Sequence, residues 1–215
     1  MKKVFKFGCL FILGISILSL LIGGIATCSN KDWSKEVDSL SHDSLEVPAK
    51  IVAKPKINID SVVKVFRSDF TFKKDEFENR TWVEPKNRPQ YTNINRIYTY
   101  FELDDSIARN FRFRVQYTAD DWLFIQKITF NIDGSRNIVF VPEKMERDND
   151  SRIWEWCDEP IDNQYEFLIS ALANAKKAKV KFDGQQYYDT RTITNNELKY
   201  IRKTYEFYLA LGGKF

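Results

Sequence analysis

Histidine and cysteine are scarce in this chain, and their scarcity excludes much of enzyme chemistry. The only histidine is His42, and Cys157 is the only cysteine besides Cys9 and Cys28 near the N terminus. Nucleophilic catalysis usually needs an imidazole beside a serine or cysteine, and zinc sites draw on several histidines or cysteines. We therefore expect no catalytic triad, no metal site, no cofactor and no disulfide within residues 29–215.

An excess of charge is also missing once the N terminus is set aside. The net charge of +3 comes from 33 basic and 30 acidic residues. Three of the basic residues (Lys2, Lys3 and Lys6) and none of the acidic ones lie in residues 1–28, so 30 of each kind remain. A nucleic-acid-binding domain normally carries a basic excess on one face. We expect no nucleic-acid partner.

What the sequence does contain is a long apolar run at its start. Residues 7–26 follow the lysines and include only two serines as polar side chains. Twenty residues make a helix about 30 Å long, close to the hydrocarbon thickness of a bilayer. A cleaved secretory signal has a shorter apolar stretch of about 7 to 15 residues. The pattern favours a retained single-pass helix within residues 1–28, with the lysines in the cytoplasm and the rest of the chain outside it.

Cys28 leaves two other interpretations of this segment open. The tetrad Ile-Ala-Thr-Cys that ends at Cys28 resembles a bacterial lipobox, in which a diacylated cysteine holds the chain in the membrane. Thr27 departs from that pattern, which has Gly, Ala or Ser before the cysteine. Simple cleavage of a secretory signal is the third interpretation. In all three cases the bulk of the chain lies outside the cytoplasm.

Beyond the anchor, residues 29–60 are typical of a flexible tether and residues 61–215 of a single domain. The tether is rich in serine and charged residues, and Pro48 and Pro55 bias their predecessors toward extended backbone. In the domain, apolar and polar residues alternate most clearly over residues 111–118, which indicates a strand with one buried face.

The remaining patterns predict an α+β fold, with an antiparallel β-sheet and two helices in the C-terminal half. Thr194 and Glu197 have the spacing of a capping box for the last helix. Asp133 and Gly134 predict the turn of a hairpin. Strands are predicted at residues 62–66, 81–84, 96–103, 111–118, 122–132, 137–141, 152–157, 178–182 and 185–189, and helices at 162–177 and 194–211.

Aromatic residues supply the first candidate binding site. Trp154 and Trp156 share one face of their predicted strand, either as core anchors or as an exposed platform on which a ligand stacks. Tyr187 and Tyr188 are candidate companions of such a platform.

Charged residues supply two further candidates. Arg112 and Arg114 project together from the polar face of their strand, where they either bind an anionic ligand or pair with acidic neighbours. Carboxylates also lie beside tryptophans, and a glycosidase uses two carboxylates about 5 to 10 Å apart. Adjacent acids are more often turn and solvent residues, so a carboxylate-dependent hydrolase is an alternative only. The acids concerned are Asp120, Asp121, Glu155, Asp158, Glu159 and Asp162.

Four strings carry a resemblance to known sequences. They are ADDWLFI from Ala119, IDG from Ile132, WEW from Trp154 and AKVKFDG from Ala178. They resemble those of a loose set of uncharacterised bacterial proteins of unknown function, which often begin with a signal or anchor. The similarity spans about residues 66–213. It implies a bacterial extracytoplasmic protein, membrane-anchored or lipoprotein-like, and it implies no activity and no site residues.

These patterns together predict a non-enzymatic binding or interaction module outside the bacterial cell membrane. Residues 1–28 would hold it there, as a single-pass helix or as a lipoprotein anchored at Cys28. Its expected ligand is an envelope protein or a glycan. The alternatives are a glycan hydrolase and a structural component of an envelope complex, which would need an exposed apolar patch.

Overall fold

The computed structural model describes residues 58–104 and 107–215, and the predicted anchor and almost all of the tether lie outside them. The helices are α1 (Ile59–Phe66), α2 (Glu166–Asn174) and α3 (Asn195–Ala210). The strands are β1 (Phe70–Lys74), β2 (Thr81–Pro85), β3 (Arg96–Asp104), β4 (Ile107–Ala119), β5 (Lys127–Ile132), β6 (Arg136–Phe140), β7 (Glu146–Asn149), β8 (Ile153–Pro160), β9 (Ala178–Asp183) and β10 (Tyr188–Ile193). Within these two ranges, no helix is long and apolar enough to cross a bilayer.

The larger of two sheets has six strands in the order β1-β2-β3-β4-β8-β7. Its centre is the 13-residue strand β4, which pairs antiparallel with β3 and β8. Phe113 and Val115 are buried, whereas Arg112 and Arg114 beside them are partly exposed. Because opposed residues of antiparallel strands point to the same face, the residues that pair with Phe113 and Arg112 on β3 and β8 share their faces. The alternation predicted for β4 is confirmed.

The smaller sheet has four antiparallel strands in the order β10-β9-β5-β6. Asp133 and Gly134 join β5 to β6 with φ angles of 52° and 76°. Two consecutive positive φ angles suit a tight hairpin turn, so the predicted turn is confirmed. The Asp133 carboxylate also accepts hydrogen bonds from the backbone N–H groups of Lys176 (3.0 Å) and Lys177 (2.9 Å), which ties the turn to the start of β9.

The smaller sheet and α3 both pack on one face of the six-stranded sheet, which we call the inner face. The ring of Phe113 on β4 lies 5.8 Å from that of Phe130 and 5.5 Å from that of Phe140, both in the smaller sheet. The ring of Phe101 on β3 lies 5.4 Å from that of Phe207 on α3. The opposite side of the six-stranded sheet is the outer face. The fold is thus α+β and antiparallel as predicted, but with two sheets and three helices.

The last helix begins as the sequence predicts. The Thr194 hydroxyl accepts a hydrogen bond from the Glu197 N–H (3.2 Å), and the Glu197 carboxylate accepts one from the Thr194 N–H (2.8 Å). Glu197 is buried and also bonds Arg191 (2.8 Å) and the N–H of Ile97 (2.8 Å). Burial alone would raise the pKa of Glu197, but Arg191 and the backbone donors outweigh it and lower that pKa. This carboxylate joins α3 to both sheets.

The predicted strand at residues 62–66 is wrong, because these residues belong to helix α1. The Asn58 side chain caps this helix by accepting a hydrogen bond from the Ser61 N–H (3.1 Å). Phe66 then stacks on Phe207 of α3, with 4.6 Å between ring centroids. The β-branched residues favoured a strand, but apolar residues also recur here at helical spacing and face the core. They are Ile59, Val62, Val63 and Phe66.

The extents predicted for three other elements are also wrong, and one strand was missed. Strand β5 begins at Lys127 rather than at residue 122, and β10 spans Tyr188–Ile193 rather than residues 185–189. Helix α2 begins at Glu166, because Asp162 accepts a hydrogen bond from the Gln164 N–H (2.9 Å) in a turn before the helix. The charged segment expected to be a loop contains the edge strand β7.

Candidate functional site

Aromatic and arginine side chains dominate the outer face of the six-stranded sheet. Strand register places them in rows across β3, β4 and β8. The rows are Arg96, Gln116 and Trp156; then Tyr98, Arg114 and Asp158; then Tyr100, Arg112 and Pro160. On β2, the ring of Trp82 lies 5.5 Å from that of Tyr100 and extends the array. The described helices and the smaller sheet pack on the inner face, which leaves these side chains on the other side.

Asp158 holds the two predicted arginines in place. The Nε of Arg112 donates to Asp158 Oδ1 (2.8 Å), and Nη1 of Arg114 donates to Asp158 Oδ2 (3.0 Å). The Tyr100 hydroxyl donates to the same carboxylate (2.7 Å). The structure thus shows the pairing with an acidic neighbour that was one of the two interpretations of these arginines.

The network is partly buried, and its pKa values reflect that. Burial, together with the negative charge of Asp158, raises the pKa of Tyr100. Burial raises the pKa of Tyr98 to about 12. Burial would lower the pKa of Arg112, but the hydrogen bond and charge of Asp158 outweigh it and raise that pKa. Arg112 therefore stays charged, and both tyrosines stay neutral, across the physiological pH range.

Trp154 and Trp156 lie together on the outer face, as the alternation in their strand predicts. Trp154 is 9% exposed, and Trp156 is partly exposed. Neither belongs to the main cluster of buried residues that fills the space between the sheets and helices. Trp156 is thus partly exposed on the outer face, whereas Trp154 is nearly covered by its neighbours, and the platform stays a prediction.

On strands β3, β4 and β8, four buried polar atoms of this face have no hydrogen-bond partner among the described residues. They are Nε of Arg96, Nε of Arg114, Oε1 of Gln116 and Nε1 of Trp154. Gln116 as a whole is only 1% exposed. An unsatisfied buried polar group costs about 1–3 kcal/mol, so such groups are rare and usually mark a special site. Here all four lie on strands β3, β4 and β8.

Tyr187 and Tyr188 do not join this cluster. Both are more than half exposed, and Tyr188 lies in β10 of the smaller sheet. The Lys181 ammonium lies over the Tyr188 ring at 4.5 Å. Because the smaller sheet packs on the inner face, these two tyrosines lie on the far side of the six-stranded sheet from Trp156.

Glu155, between the two tryptophans, points to the inner face and is fully buried. Its carboxylate accepts hydrogen bonds from three consecutive N–H groups, those of Leu123 (2.9 Å), Phe124 (2.8 Å) and Ile125 (2.9 Å). The Nε of Arg147 donates to it as well (3.1 Å). These bonds explain why the segment before β5 is a loop. Its N–H groups bond one carboxylate instead of a neighbouring strand.

The loop before β5, which Glu155 holds, is strained at Phe124, which has a φ of 55° and is 45% exposed. A bulky residue with positive φ is uncommon and costs about 1–3 kcal/mol. The Trp122 ring stacks beside Phe124 at 5.7 Å, and the Arg147 guanidinium lies 5.5 Å over it. Glu155 is thus a positioning residue for this loop.

The other candidate acids are dispersed. Asp120 is exposed and pairs with Arg152 (3.2 Å). Glu159 accepts a hydrogen bond from the Lys144 N–H (3.1 Å), and burial raises its pKa. Glu155 and Asp158 point to opposite faces of β8. Glu155 is engaged by the loop before β5 and Asp158 by the two arginines, and the hydrolase alternative stays a prediction.

Sequence reasoning missed several members of the outer face. Tyr98 and Tyr100 alternate with the buried residues Ile97 and Thr99, so their shared face was readable from the pattern of β3. Their position beside Arg112 was not readable, because it depends on which strands pair. The missed residues are Trp82, Arg96, Tyr98, Tyr100 and Gln116.

Compared with known protein families, with curated proteins and with solved structures, the chain matches none. The resemblance to a loose set of bacterial proteins therefore stays a prediction. Fold and site together define an α+β domain with two antiparallel sheets, one of which presents an aromatic and arginine-rich face. Its function has to be argued from that face.

Proposed function

We propose that this chain is a membrane-anchored, extracytoplasmic binding module without enzymatic activity. Its ligand surface is the outer face of the six-stranded sheet. One observation carries the proposal: this face combines the partly exposed rings of Trp82 and Trp156 with the arginine pair that Asp158 holds. The apolar run within residues 1–28 supplies the anchor, with Cys28 as the alternative lipid attachment site.

The composition of the face is that of a binding surface. Trp, Tyr and Arg are the residues that most often dominate binding energy at interfaces, because they bring large contact area and several hydrogen bonds. Asp158 fixes Arg112 and Arg114 before any ligand arrives (2.8 and 3.0 Å). Fixed side chains lose little entropy on binding, so a preorganised face binds more tightly.

A glycan is the ligand that suits this face best. Sugar rings stack their C–H faces on aromatic side chains, and their hydroxyls both donate and accept hydrogen bonds. Partly exposed Trp156 offers the ring, while the partly exposed guanidinium groups of Arg112 and Arg114 offer hydrogen-bond donors. An envelope protein is the other ligand class that the sequence predicts.

The test compares two tryptophan variants of the full-length protein in mild detergent. We expect the protein to bind at least one member of an array of neutral and acidic bacterial envelope glycans. Trp156→Ala, on the outer face, should weaken that binding at least tenfold, equal to about 1.4 kcal/mol. Trp122→Ala, in the loop held by Glu155, should change it less than twofold.

Two outcomes would contradict a glycan as the ligand of this face. One is an array with no bound glycan, and the other is an equal loss of affinity in both variants. Bound glycan should also be recovered at its original length by mass spectrometry. Shortened glycan would contradict the non-enzymatic part of the proposal and favour the hydrolase.

The anchor has a separate test, which is mass spectrometry of the protein extracted from membranes. An intact chain beginning at Met1 is expected for a single-pass helix. A chain that begins at a diacylated Cys28 would show the lipoprotein form instead. A chain released from the membrane after cleavage would contradict the anchored form.

A further inference from the structure

We infer that one side of the four-stranded sheet rests on the acidic phospholipids of the membrane that holds the chain. This side, which we call the basic face, consists of the residues of β5, β6, β9 and β10 that point away from the six-stranded sheet. The inference rests on the membrane anchor of the proposed function and adds a second surface to the proposed ligand face. It follows from the charges of the basic face, from a cavity on it and from its position in the fold.

Burial and strand register together define the basic face. In β9, Val180 and Phe182 are buried, whereas Lys179 is exposed and Lys181 is partly exposed. Since paired residues of antiparallel strands point to the same side, the residues that pair with the exposed positions of β9 share its exposed side. The rows are Thr192, Lys179, Asn131 and Asn137; then Thr190, Lys181, Thr129 and Val139; then Tyr188, Asp183 and Lys127.

Positive charge exceeds negative charge on the basic face. Asp183, the one carboxylate in these rows, pairs with Lys127 (3.8 Å) and Lys181. Lys179 and the nearby Lys177 are exposed and form no ion pair within the described part of the chain. Residues 29–215 carry as many acidic as basic residues, so this excess is a local property of the face.

A cavity of about 210 Å³ opens on the basic face beside these two lysines. Lys177 and Lys179 line it together with Asn131 and Thr192. Asp133, in the adjoining turn, accepts hydrogen bonds from two backbone N–H groups and offsets only one of the two lysine charges. Lysine ammonium groups only donate hydrogen bonds, so the cavity suits a group that only accepts them. The phosphodiester of a phospholipid headgroup is such a group.

Exposed apolar side chains on the same face favour a lipid surface over a free anion. Val139 is 47% exposed and Tyr188 is 55% exposed. Tyrosine is enriched where lipid meets water, because its ring is apolar and its hydroxyl is polar. Only residues 27–57 separate the apolar run from the described domain, and 31 residues span at most about 110 Å. The bilayer is therefore always within reach of the basic face.

Docking of the basic face would also orient the proposed ligand surface. The four-stranded sheet packs on the inner face of the six-stranded sheet. Its basic face and the outer face of the six-stranded sheet therefore lie on opposite sides of the domain. A domain that rests on the bilayer by its basic face presents Trp156 away from the membrane, where an envelope ligand can reach it.

The experiment measures lysine acetylation by mass spectrometry in the full-length protein inserted into lipid nanodiscs. One set of discs contains phosphatidylglycerol and phosphatidylcholine, and the other contains phosphatidylcholine alone. Lys127, Lys177 and Lys179 should react at least about fivefold more slowly in the acidic discs, which corresponds to about 1 kcal/mol of docking free energy. High salt should remove this protection, because it screens exposed charges. Lys73, which shares a row with Trp82 of the outer face, should react equally in both sets.

Matched variants then locate the contact. Lys179→Gln removes one positive charge from the cavity and should lower the ratio of docked to undocked domain about fivefold, with a corresponding rise in the reactivity of Lys127 in acidic discs. Lys73→Gln removes one positive charge from the six-stranded sheet instead and should leave the reactivity of Lys127 unchanged. Both lysines are exposed, so circular dichroism spectra of the two variants should match that of the original protein.

Three results would overturn the inference. One is equal reactivity of Lys127, Lys177 and Lys179 in the two sets of discs. Another is equal protection of Lys73, because the domain would then approach the acidic surface without a preferred side. The third is protection of Lys177 and Lys179 by inorganic phosphate in the neutral discs to the same extent as by acidic lipid, because the cavity would then bind a free anion.

The same results leave the proposed function standing, because binding of glycans to the outer face is measured separately. A full-length protein that does not insert into the discs would contradict the anchored form of the proposed function, and the inference would fail with it.

Discussion

Replacing Glu155 with glutamine tests how the structure uses its most deeply buried carboxylate. Oε1 accepts from the N–H groups of Leu123 and Phe124, and Oε2 accepts from Ile125 and Arg147. Glutamine keeps one acceptor oxygen but turns an NH₂ group toward the other two donors. Two charge-assisted hydrogen bonds are then lost, at about 1.5–3 kcal/mol each.

We therefore expect Glu155→Gln to lower the free energy of unfolding by about 3–5 kcal/mol, which is also the usual cost of breaking a buried ion pair. That is a large share of the roughly 5–15 kcal/mol that stabilises a typical domain. The melting temperature should fall by about 10 °C, at about 2–4 °C per kcal/mol for this size. The assay is urea denaturation of the full-length protein in mild detergent, followed by circular dichroism.

Glu159→Gln is the matched control on the same strand. Glu159 accepts a hydrogen bond from the Lys144 N–H and is partly exposed, so its substitution should cost less than about 1 kcal/mol. Glu155→Gln within about 0.5 kcal/mol of the original protein would refute the reasoning, since a surface substitution does no more than that. Equal losses in the two variants would refute it as well.

Three further predictions concern single groups. The pKa of Glu197 is lowered below its ordinary 4.5, so its contribution to stability is present above that pH and is lost as the pH falls further. The difference between the urea midpoints of the original protein and Glu197→Gln should therefore shrink as the pH falls below 4.5. Burial raises the pKa of Cys157 to about 12, so iodoacetamide at about pH 8 should label it only after unfolding. Gly184→Ala should lower the free energy of unfolding, measured by urea denaturation, by several kcal/mol, because the added carbon would lie 2.1 Å from the Leu123 carbonyl oxygen. Gly134→Ala has open space around the added carbon but a φ of 76°, so it should lower that free energy by about 1 kcal/mol. Each prediction has an outcome that would contradict it. For Cys157 it is labelling of the native protein, and for Glu197 it is urea midpoints that stay equally far apart in acid. For the glycines it is an equal loss of unfolding free energy in the two variants.

Local sequence signals predicted those parts of the fold that depend on neighbouring residues alone. The alternation around Phe113, the Asp133 turn and the Thr194 cap each involve short-range contacts, and each appears in the structure. The helix at Ile59–Phe66 was missed because β-branched residues favour strands, while its stability comes from Phe207, far along the chain. A distant contact of this kind leaves no local signal.

The candidate site was predictable only in its fragments. Alternation placed Trp154 with Trp156 and Arg112 with Arg114, but it could not show that these pairs share one face of one sheet. That depends on β4 pairing with β8. Nor could it show which side is the core, because the smaller sheet determines that. Glu155 likewise looked like a candidate acid until its backbone partners were known.

The most direct test of the central claim is hydroxyl-radical footprinting of the full-length protein with and without the tightest-binding saccharide. We expect the saccharide to protect Trp156 and Tyr100 on the outer face, while Tyr187 and Phe124, both well exposed elsewhere, oxidise at unchanged rates. Protection of Tyr187 or Phe124 with no change at Trp156 would contradict it, because the ligand surface would then lie outside the outer face of the six-stranded sheet.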